Sequence, residues 1–305
     1  MSAPQAGGHS VRVVVITLVG NGVIAGAKTF ASVLTHSGSM LAEAIHSWSD
    51  CLNQVLLLVG MRRAARGPSE RHPLGTGRAS YFWSFLVALM LFFGGGVFSI
   101  VEGVEKVLHA EAVHHVGIGV GILGLSLAIE AGSLWGCLRE IHRKRGTRGV
   151  WEFLRATKDA ELVVCTGENV AAAVGLAFAM IAMLLAWQVD PRFDGVGSIL
   201  VGGVLVYVAV FLARKVKSLL LGERADPEIE QAFAEAVAAD PRIARVLHLI
   251  TVQQGPGEVL LAAKVKLAEG VAAGEVVAVI NELESRVRAR APEVRWSFIE
   301  PDASA

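Results

Sequence analysis

The chain has 305 residues, of which 53% are hydrophobic and 18% are charged. Soluble globular domains carry about 25% charged residues, so this composition indicates a membrane protein. The 28 basic residues match the 28 acidic residues in number, which excludes the strongly basic surface of a nucleic-acid-binding protein. The three cysteines lie in apolar stretches, and their odd number argues against a disulfide framework.

Six apolar stretches follow one another along the chain, each long enough to cross a hydrocarbon core of roughly 30 Å. No basic segment precedes the first stretch and no small-residue cleavage site follows it, so we expect it to be retained as a span. We predict a six-helix transmembrane transport domain over residues 11–221, preceded by an N-terminal cytoplasmic tail over 1–10. The predicted spans cover residues 11–33, 39–61, 80–108, 116–138, 161–187 and 195–216.

The basic residues concentrate in the connections on one side of these spans. The loops "MRRAARGPSERHPLGTGR" and "REIHRKRGTRGVWEFLRATK" are rich in Arg and Lys. The connections on the other side contain a single Arg or Lys residue, Arg192. The positive-inside rule then places both chain termini in the cytoplasm. We therefore expect an integral, multi-pass protein of a bacterial inner or plasma membrane.

From about residue 222 the composition changes to that of a soluble domain. Helical apolar spacing over residues 228–239 is followed by two alternating stretches, "VLHLITVQQ" and "VLLAAKVKL", around the turn "GPGE". A second amphipathic helix is predicted over 272–290, and a last strand at "VRWSFIEP". The order α-β-β-α-β predicts a cytoplasmic α/β domain of the ferredoxin-like type over residues 222–305.

The second predicted span contains a polar pair within the stretch "LAEAIHSWSDCLNQ". His46 and Asp50 are four residues apart, which puts both side chains on one helix face. A charge at mid-span costs about 2.5–3.5 kcal/mol on insertion scales, so Asp50 must face a polar cavity or a partner. An imidazole and a carboxylate together suit Zn²⁺ and neighbouring divalent cations. The alternative is a packed pair in which the two side chains bond to each other.

Two ligands from one helix do not complete a tetrahedral site, so a second helix has to contribute. Glu168 and Asn169 lie about eight residues from the cytoplasmic end of the fifth predicted span, at a depth similar to that of Asp50. Cys165 could add a thiolate, although a cysteine in an apolar helix usually packs as a small hydrophobic residue. The candidate metal ligands are therefore His46, Asp50, Glu168, Asn169 and Cys165.

Several of these stretches resemble the cation diffusion facilitator family. The resemblance rests on "SMLAEAIHSWSDCLNQ", the loop "RHPLGTGRASYFW", the Asp194-Gly195 pair that begins the sixth span, and the appended α/β domain. It covers residues 12–298, and the "GEN" stretch of span five is similar to the zinc transporter nine branch. The resemblance implies a homodimeric, proton-coupled antiporter that exports Zn²⁺ or a similar divalent cation through a site between the second and fifth spans.

The chain departs from the family pattern at three places. In the family, span five supplies a His/Asp-x-x-x-Asp pair, whose matching positions here are Cys165 and Asn169, and Glu168 is the available acidic substitute. The loop between spans two and three keeps His72 without further metal ligands, which favours a structured turn. The C-terminal segment has His248 as its only histidine and no cysteine. We therefore expect a dimerisation domain without a zinc cluster.

Three function classes follow. The first is a secondary transporter of a divalent cation, with no tightly bound cofactor. The second is a non-transporting membrane scaffold or regulator of the same fold, which the missing second carboxylate pair in span five favours. The third, an intramembrane metalloenzyme, is disfavoured because the chain has no H-E-x-x-H helix. Glu130 in span four either carries protons in the cavity or is held by a polar neighbour.

Overall fold

The structure is a computed structural model that describes residues 7–303, with side chains from residue 18 onward. Contacts divide the chain into two compact units. The helical unit contains the residues up to Met61 together with Phe82–Val216, and the α/β unit contains Arg62–Tyr81 together with the residues from Lys217 onward. Of the predicted tail over 1–10, residues 1–6 lie outside the described residues, and Gly7 already begins the first helix.

The long helices agree with the six predicted spans. Within residues 7–303, five helical segments are long and apolar enough to cross a membrane. The remaining long helix, α2, corresponds to the second predicted span. It is less apolar than the other five because Glu43, His46 and Asp50 lie along it. The α-helical membrane fold is confirmed. The helices are α1 (Gly7–Thr35), α2 (Gly38–Ala64), α3 (Ala79–Met90), α4 (Phe98–Leu108), α5 (Val116–Lys144), α6 (Val150–Ala156), α7 (Ala160–Gln188) and α8 (Arg192–Leu221).

The third span is not uniformly α-helical. A π-helical segment, Leu91–Val97, joins α3 to α4 and contains the triple glycine of residues 94–96. A side chain at Gly96 would meet Val206 of α8 at 2.6 Å, and one at Gly103 would meet the carbonyl oxygen of Gly195 at 2.6 Å. The glycines therefore allow the third span to approach α8 backbone to backbone, as small residues do between membrane helices.

Asp194, at the start of α8, binds the N-terminus of α2. Its carboxylate accepts hydrogen bonds from the Gly38 amide at 2.5 Å and from the hydroxyls of Ser37 and Ser39 at 2.6 and 2.5 Å. A carboxylate at this position satisfies amide groups that have no partner within the helix. This contact fixes the end of α2 that leads into the polar stretch and gives the Asp194-Gly195 pair a structural role.

The α/β unit has the predicted element order. Its elements are α9 (Pro227–Ala238), β1 (Ile243–Gly255), β2 (Glu258–Leu267), α10 (Val276–Arg290) and β3 (Val294–Pro301). β1 and β2 form an antiparallel hairpin, whereas β2 and β3 run parallel because α10 carries the chain back across the sheet. Phe233, Leu261 and Leu283 belong to the core that both helices bury against one sheet face.

The loop between α2 and α3 packs on this α/β unit, although the sequence prediction assigned it to the transport domain over 11–221. A side chain at Gly77 would stand 2.9 Å from the carbonyl oxygen of Gln254, so a glycine is needed where the loop meets the β1–β2 turn. The His72 amide donates a hydrogen bond to the Ser69 hydroxyl at 3.1 Å, and its carbonyl accepts one from the Gly75 amide at 2.9 Å. The prediction of a structured turn at His72 is confirmed.

A network of charged groups joins the end of α9 to α10 and β1. The Asp240 carboxylate accepts hydrogen bonds from Arg242 at 2.7 and 2.8 Å and forms an ion pair with Arg286 at 2.9 Å. These bonds, above all those from Arg242, hold the pKa of Asp240 well below its usual range. A depressed carboxyl pKa contributes stability above the unfolded-state value of about 4, and this stability is lost as the pH falls through the folded-state pKa.

We therefore predict that Asp240→Asn loosens the α/β unit at neutral pH. Hydrogen exchange of peptides from β1 and α10, compared at the same pH in the full chain, should be roughly fivefold faster in the variant, as expected for a partly exposed ion pair worth ~1 kcal/mol. The difference should shrink in acid, when Asp240 of the parent protein also becomes neutral. A difference that stays constant down to the lowest pH would contradict this assignment.

Candidate functional site

His46 and Asp50 lie on one buried face of α2, as their spacing predicts. The His46 side chain is 1% exposed and the Asp50 side chain 14% exposed, with Nδ1 of His46 3.5 Å from Oδ1 of Asp50. Neither ring nitrogen of His46 nor this Asp50 oxygen has a hydrogen-bond partner among the described residues. Buried polar atoms without a partner are costly, so these atoms have hydrogen-bonding capacity that the described residues leave unused.

Asn53 connects this face of α2 to α7. It lies seven residues after His46, two helical turns along the same face. Its Nδ2 donates a hydrogen bond of 2.7 Å to Oε1 of Glu168, while its own Oδ1 has no partner in the described part of the chain. Glu168 therefore faces α2, and the structure brings it to the helix face that carries His46 and Asp50.

Asn169 and Cys165 face a different neighbour, α5. Nδ2 of Asn169 donates to the Cys165 carbonyl oxygen at 2.8 Å and lies 3.4 Å from Sγ of Cys165 and 3.5 Å from Sγ of Cys137. The two sulfur atoms are 3.1 Å apart. Since consecutive residues of an α-helix point about 100° apart, Glu168 turns to α2 while Asn169 turns to α5.

The five predicted ligands thus form two groups in this conformation. His46, Asp50 and Glu168 belong to the α2–α7 contact, and Cys165 and Asn169 belong to the α5–α7 contact. No three His, Cys, Asp or Glu side chains of residues 18–303 are gathered closely enough to hold a metal ion. The role of these residues as ligands stays a prediction.

A buried ion pair beside the site was missed by the sequence analysis. Nζ of Lys28, on α1, lies 3.1 Å from Oε2 of Glu43 and donates a 2.8 Å hydrogen bond to the Ser47 hydroxyl, next to His46. The two charged side chains are 1% and 0% exposed. On α7, Gly175 leaves room for Glu43, since a side chain there would stand 2.7 Å from Oε1. A lysine alone in an apolar span was the signal that could have identified this pair.

A further carboxyl group belongs to the same region. Glu130 of α5 interacts electrostatically with both Asp50 and Glu168. Three acidic side chains from α2, α5 and α7 therefore lie within electrostatic reach of one another inside the helical unit. Whether Glu130 carries protons in the cavity or is held by a polar neighbour stays a prediction.

Comparison with known proteins identifies the helical unit. The sequence of residues 14–221 matches the cation efflux transmembrane domain family. The chain belongs to the cation efflux family. This confirms the resemblance to cation diffusion facilitators, and this family member is a multi-pass membrane protein.

Individual relatives extend the similarity into the α/β unit. Over 257 residues the chain is 30% identical to the mitochondrial proton-coupled zinc antiporter SLC30A9 of Xenopus laevis, covering 83% of this chain and 46% of that protein. It is 28% identical over 223 residues to metal tolerance protein C4 of Arabidopsis thaliana, covering 72% of this chain and 49% of the relative. A probable cation efflux system protein of Mycobacterium tuberculosis is 27% identical over 243 residues, which are 77% of this chain and 67% of the relative. The chain spans about half the length of the first two.

The Lys28–Glu43 pair gives a stability prediction for this cation efflux protein. Lys28→Met leaves the Glu43 carboxylate buried without its partner, which should lower the free energy of unfolding by about 3–5 kcal/mol. The double variant Lys28→Met/Glu43→Gln should recover most of this loss, because no unpaired charge remains. Unfolding in detergent micelles, followed by circular dichroism, measures both.

Lys144→Met is the matched control, because Lys144 is 42% exposed where it pairs with Glu140 and Asp159. An exposed pair contributes at most about 1 kcal/mol. A loss in Lys28→Met no larger than that in Lys144→Met would show that the buried pair does not stabilise the bundle.

Proposed function

We propose that this protein moves a divalent metal cation, with Zn²⁺ as the first candidate, across the membrane in exchange for protons. The observation that carries the proposal is the set of buried, unpartnered donor atoms on one face of α2, with Glu168 of α7 held against that face. The names of the relatives support it, since SLC30A9 is a proton-coupled zinc antiporter. They also favour a transporter over an enzyme or a scaffold.

The proposed ligands are His46, Asp50 and Glu168. One imidazole nitrogen and two carboxylate groups are a donor set that binds Zn²⁺ in other proteins, with metal–ligand distances of about 2.0–2.2 Å. A dication also neutralises two acidic groups that would otherwise repel each other in a medium of low dielectric constant. The same donor set suits Mn²⁺, Fe²⁺, Co²⁺ and Ni²⁺, so the ion is a matter for measurement.

Asn53 holds Glu168 against α2. Its amide satisfies one carboxylate oxygen at 2.7 Å. We expect that Glu168 exchanges this bond for a bond to the cation, which draws α7 closer to His46 and Asp50 on α2. Asn53 therefore acts as a positioning residue that sets the position from which Glu168 moves.

Protons and the metal compete for the same atoms. The imidazole must be neutral and the carboxyl groups ionised to bind the cation, so metal release is favoured where the proton concentration is higher. If rocking of the helices exposes the site alternately to the two sides, a proton gradient drives the cation in the opposite direction. Proton exchange thus follows from the titratable nature of the three ligands.

Orientation, oligomeric state and membrane of residence belong to the same proposal. The clustering of basic residues in the connections after α2 and α5 supports cytoplasmic termini. One sheet face of the α/β unit is covered by α9 and α10, while the other carries Ile250 at 47% and Phe298 at 58% exposure. This uncovered apolar face supports homodimerisation through the α/β unit. The proposed location is a bacterial inner or plasma membrane. The relative from Mycobacterium tuberculosis is consistent with this location, whereas SLC30A9 is mitochondrial.

The experiment is zinc uptake into proteoliposomes under an imposed pH gradient, with internal zinc and internal pH followed by separate dyes. Asp50→Asn, His46→Ala and Glu168→Gln should each lower the initial rate of zinc uptake by about tenfold or more, since even outer-sphere changes at metal sites cost 10–100-fold in affinity. Glu161→Gln, which changes an acid in the first turn of the same helix α7, is the matched control.

Three results would contradict the proposal. Unchanged zinc uptake in both Asp50→Asn and Glu168→Gln would show that transport does not use a site between α2 and α7. Zinc uptake in the parent protein with no change of internal pH would remove proton exchange and leave a metal uniporter. Absence of zinc uptake in the parent protein, when Mn²⁺, Co²⁺ and Ni²⁺ are also not taken up, would favour the scaffold or regulator.

A further inference from the structure

Two cysteines meet where α5 packs against α7. Sγ of Cys137 lies 3.1 Å from Sγ of Cys165, and both cysteines are free thiols. The third cysteine, Cys51, is buried on α2. The facing pair therefore belongs to one helix–helix contact, one turn before Glu168 along α7.

We propose that Cys137 and Cys165 are a redox-sensitive dithiol that closes to a disulfide and locks α7 to α5. A disulfide bond is about 2.0 Å long, so the sulfur atoms have to approach by only about 1 Å. Two thiolates on a tetrahedral zinc ion, with Zn–S bonds of about 2.3 Å, would instead have to move apart to roughly 3.8 Å. No third His, Cys, Asp or Glu joins the pair within residues 18–303. The geometry thus favours oxidation over metal binding.

The surroundings of the pair suit this chemistry. Nδ2 of Asn169 lies 3.4 Å from Sγ of Cys165 and 3.5 Å from Sγ of Cys137, so one polar side chain contacts both thiols. Cys137 lies about two turns before the end of α5, and Cys165 lies about one and a half turns after the start of α7. Both are therefore near the helix ends that the arginine-rich connection joins, and both side chains are only partly buried.

The oxidant class is a peroxide, here hydrogen peroxide. One thiolate attacks a peroxide oxygen, the O–O bond breaks, and a sulfenic acid and water are formed after proton uptake. The second thiolate then attacks the sulfenic sulfur, the S–O bond breaks, and a second water leaves. In total, two thiols are oxidised to one disulfide and one hydrogen peroxide is reduced to two waters. A dithiol reductant reverses the change by thiol–disulfide exchange.

The first test counts thiols in the full-length protein and does not depend on transport. The reduced chain has three thiols, and after peroxide treatment, quenching and denaturation we expect one, with Cys137 and Cys165 linked in the peptide map. Cys51→Ser should form the same disulfide, and Cys137→Ser should form none. Three thiols remaining after treatment, or a disulfide that involves Cys51, would overturn the proposal. So would zinc protecting both thiols from alkylation while peroxide fails to couple them, since the pair would then be a metal subsite.

The second test rests on the proposed function and asks whether the disulfide is a lock. Zinc uptake by the oxidised parent protein should fall about tenfold and recover when dithiothreitol is added, while Cys137→Ser should be insensitive to peroxide. If the disulfide forms without any change in zinc uptake, α5 and α7 move together during transport. The proposal that the disulfide locks the transporter would then be contradicted. Failure of the proposed function is distinguishable, because the reduced protein would then take up no zinc although the thiol count still falls to one.

Discussion

The hydrogen bond between Asn53 and Glu168 is the contact on which this account depends. It joins α2 to α7 at 2.7 Å and brings a carboxylate of one helix to the face of another that carries His46 and Asp50. Polar groups inside a bundle are stable only when they find partners. Asn53 supplies such a partner for Glu168, so a neutral amide, and not a fixed ion pair that a metal would have to break, keeps this acid against α2.

The rest of the helical unit supports this contact by fixing α2. Asp194 holds the N-terminus of α2 through backbone and hydroxyl hydrogen bonds, and Lys28 neutralises Glu43 one turn before His46. Among the described residues, both ring nitrogens of His46 and Oδ1 of Asp50 have no hydrogen-bond partner, and the same holds for Oε1 of Glu43 and Oδ1 of Asn53 on this helix. At its other end, α2 continues into the loop that packs on the α/β unit through Gly77. The α/β unit is thus connected by the chain itself to the helix that carries the site.

Much of this could be predicted from the sequence. The spans follow from apolar runs, the strands from alternation, and the His46–Asp50 face from helical periodicity, all of which are local patterns. The sequence did not predict which side chains from different helices contact one another. Spacing could not tell whether Glu168 or Asn169 faces α2, because adjacent helical residues point to different neighbours and the choice depends on the rotation of α7. Lys28 and the Cys137–Cys165 contact were missed for the same reason, since each needs a residue from another helix.

Direct observation of the cation is the most decisive measurement. Crystals or cryo-EM grids of the protein prepared with zinc, and anomalous diffraction at the zinc edge in the crystalline case, would locate the ion. The account predicts density bonded to His46, Asp50 and Glu168 at about 2.0–2.2 Å, with the Asn53–Glu168 bond broken. Zinc bound elsewhere, with Glu168 still held by Asn53 and His46 still unligated, would contradict it.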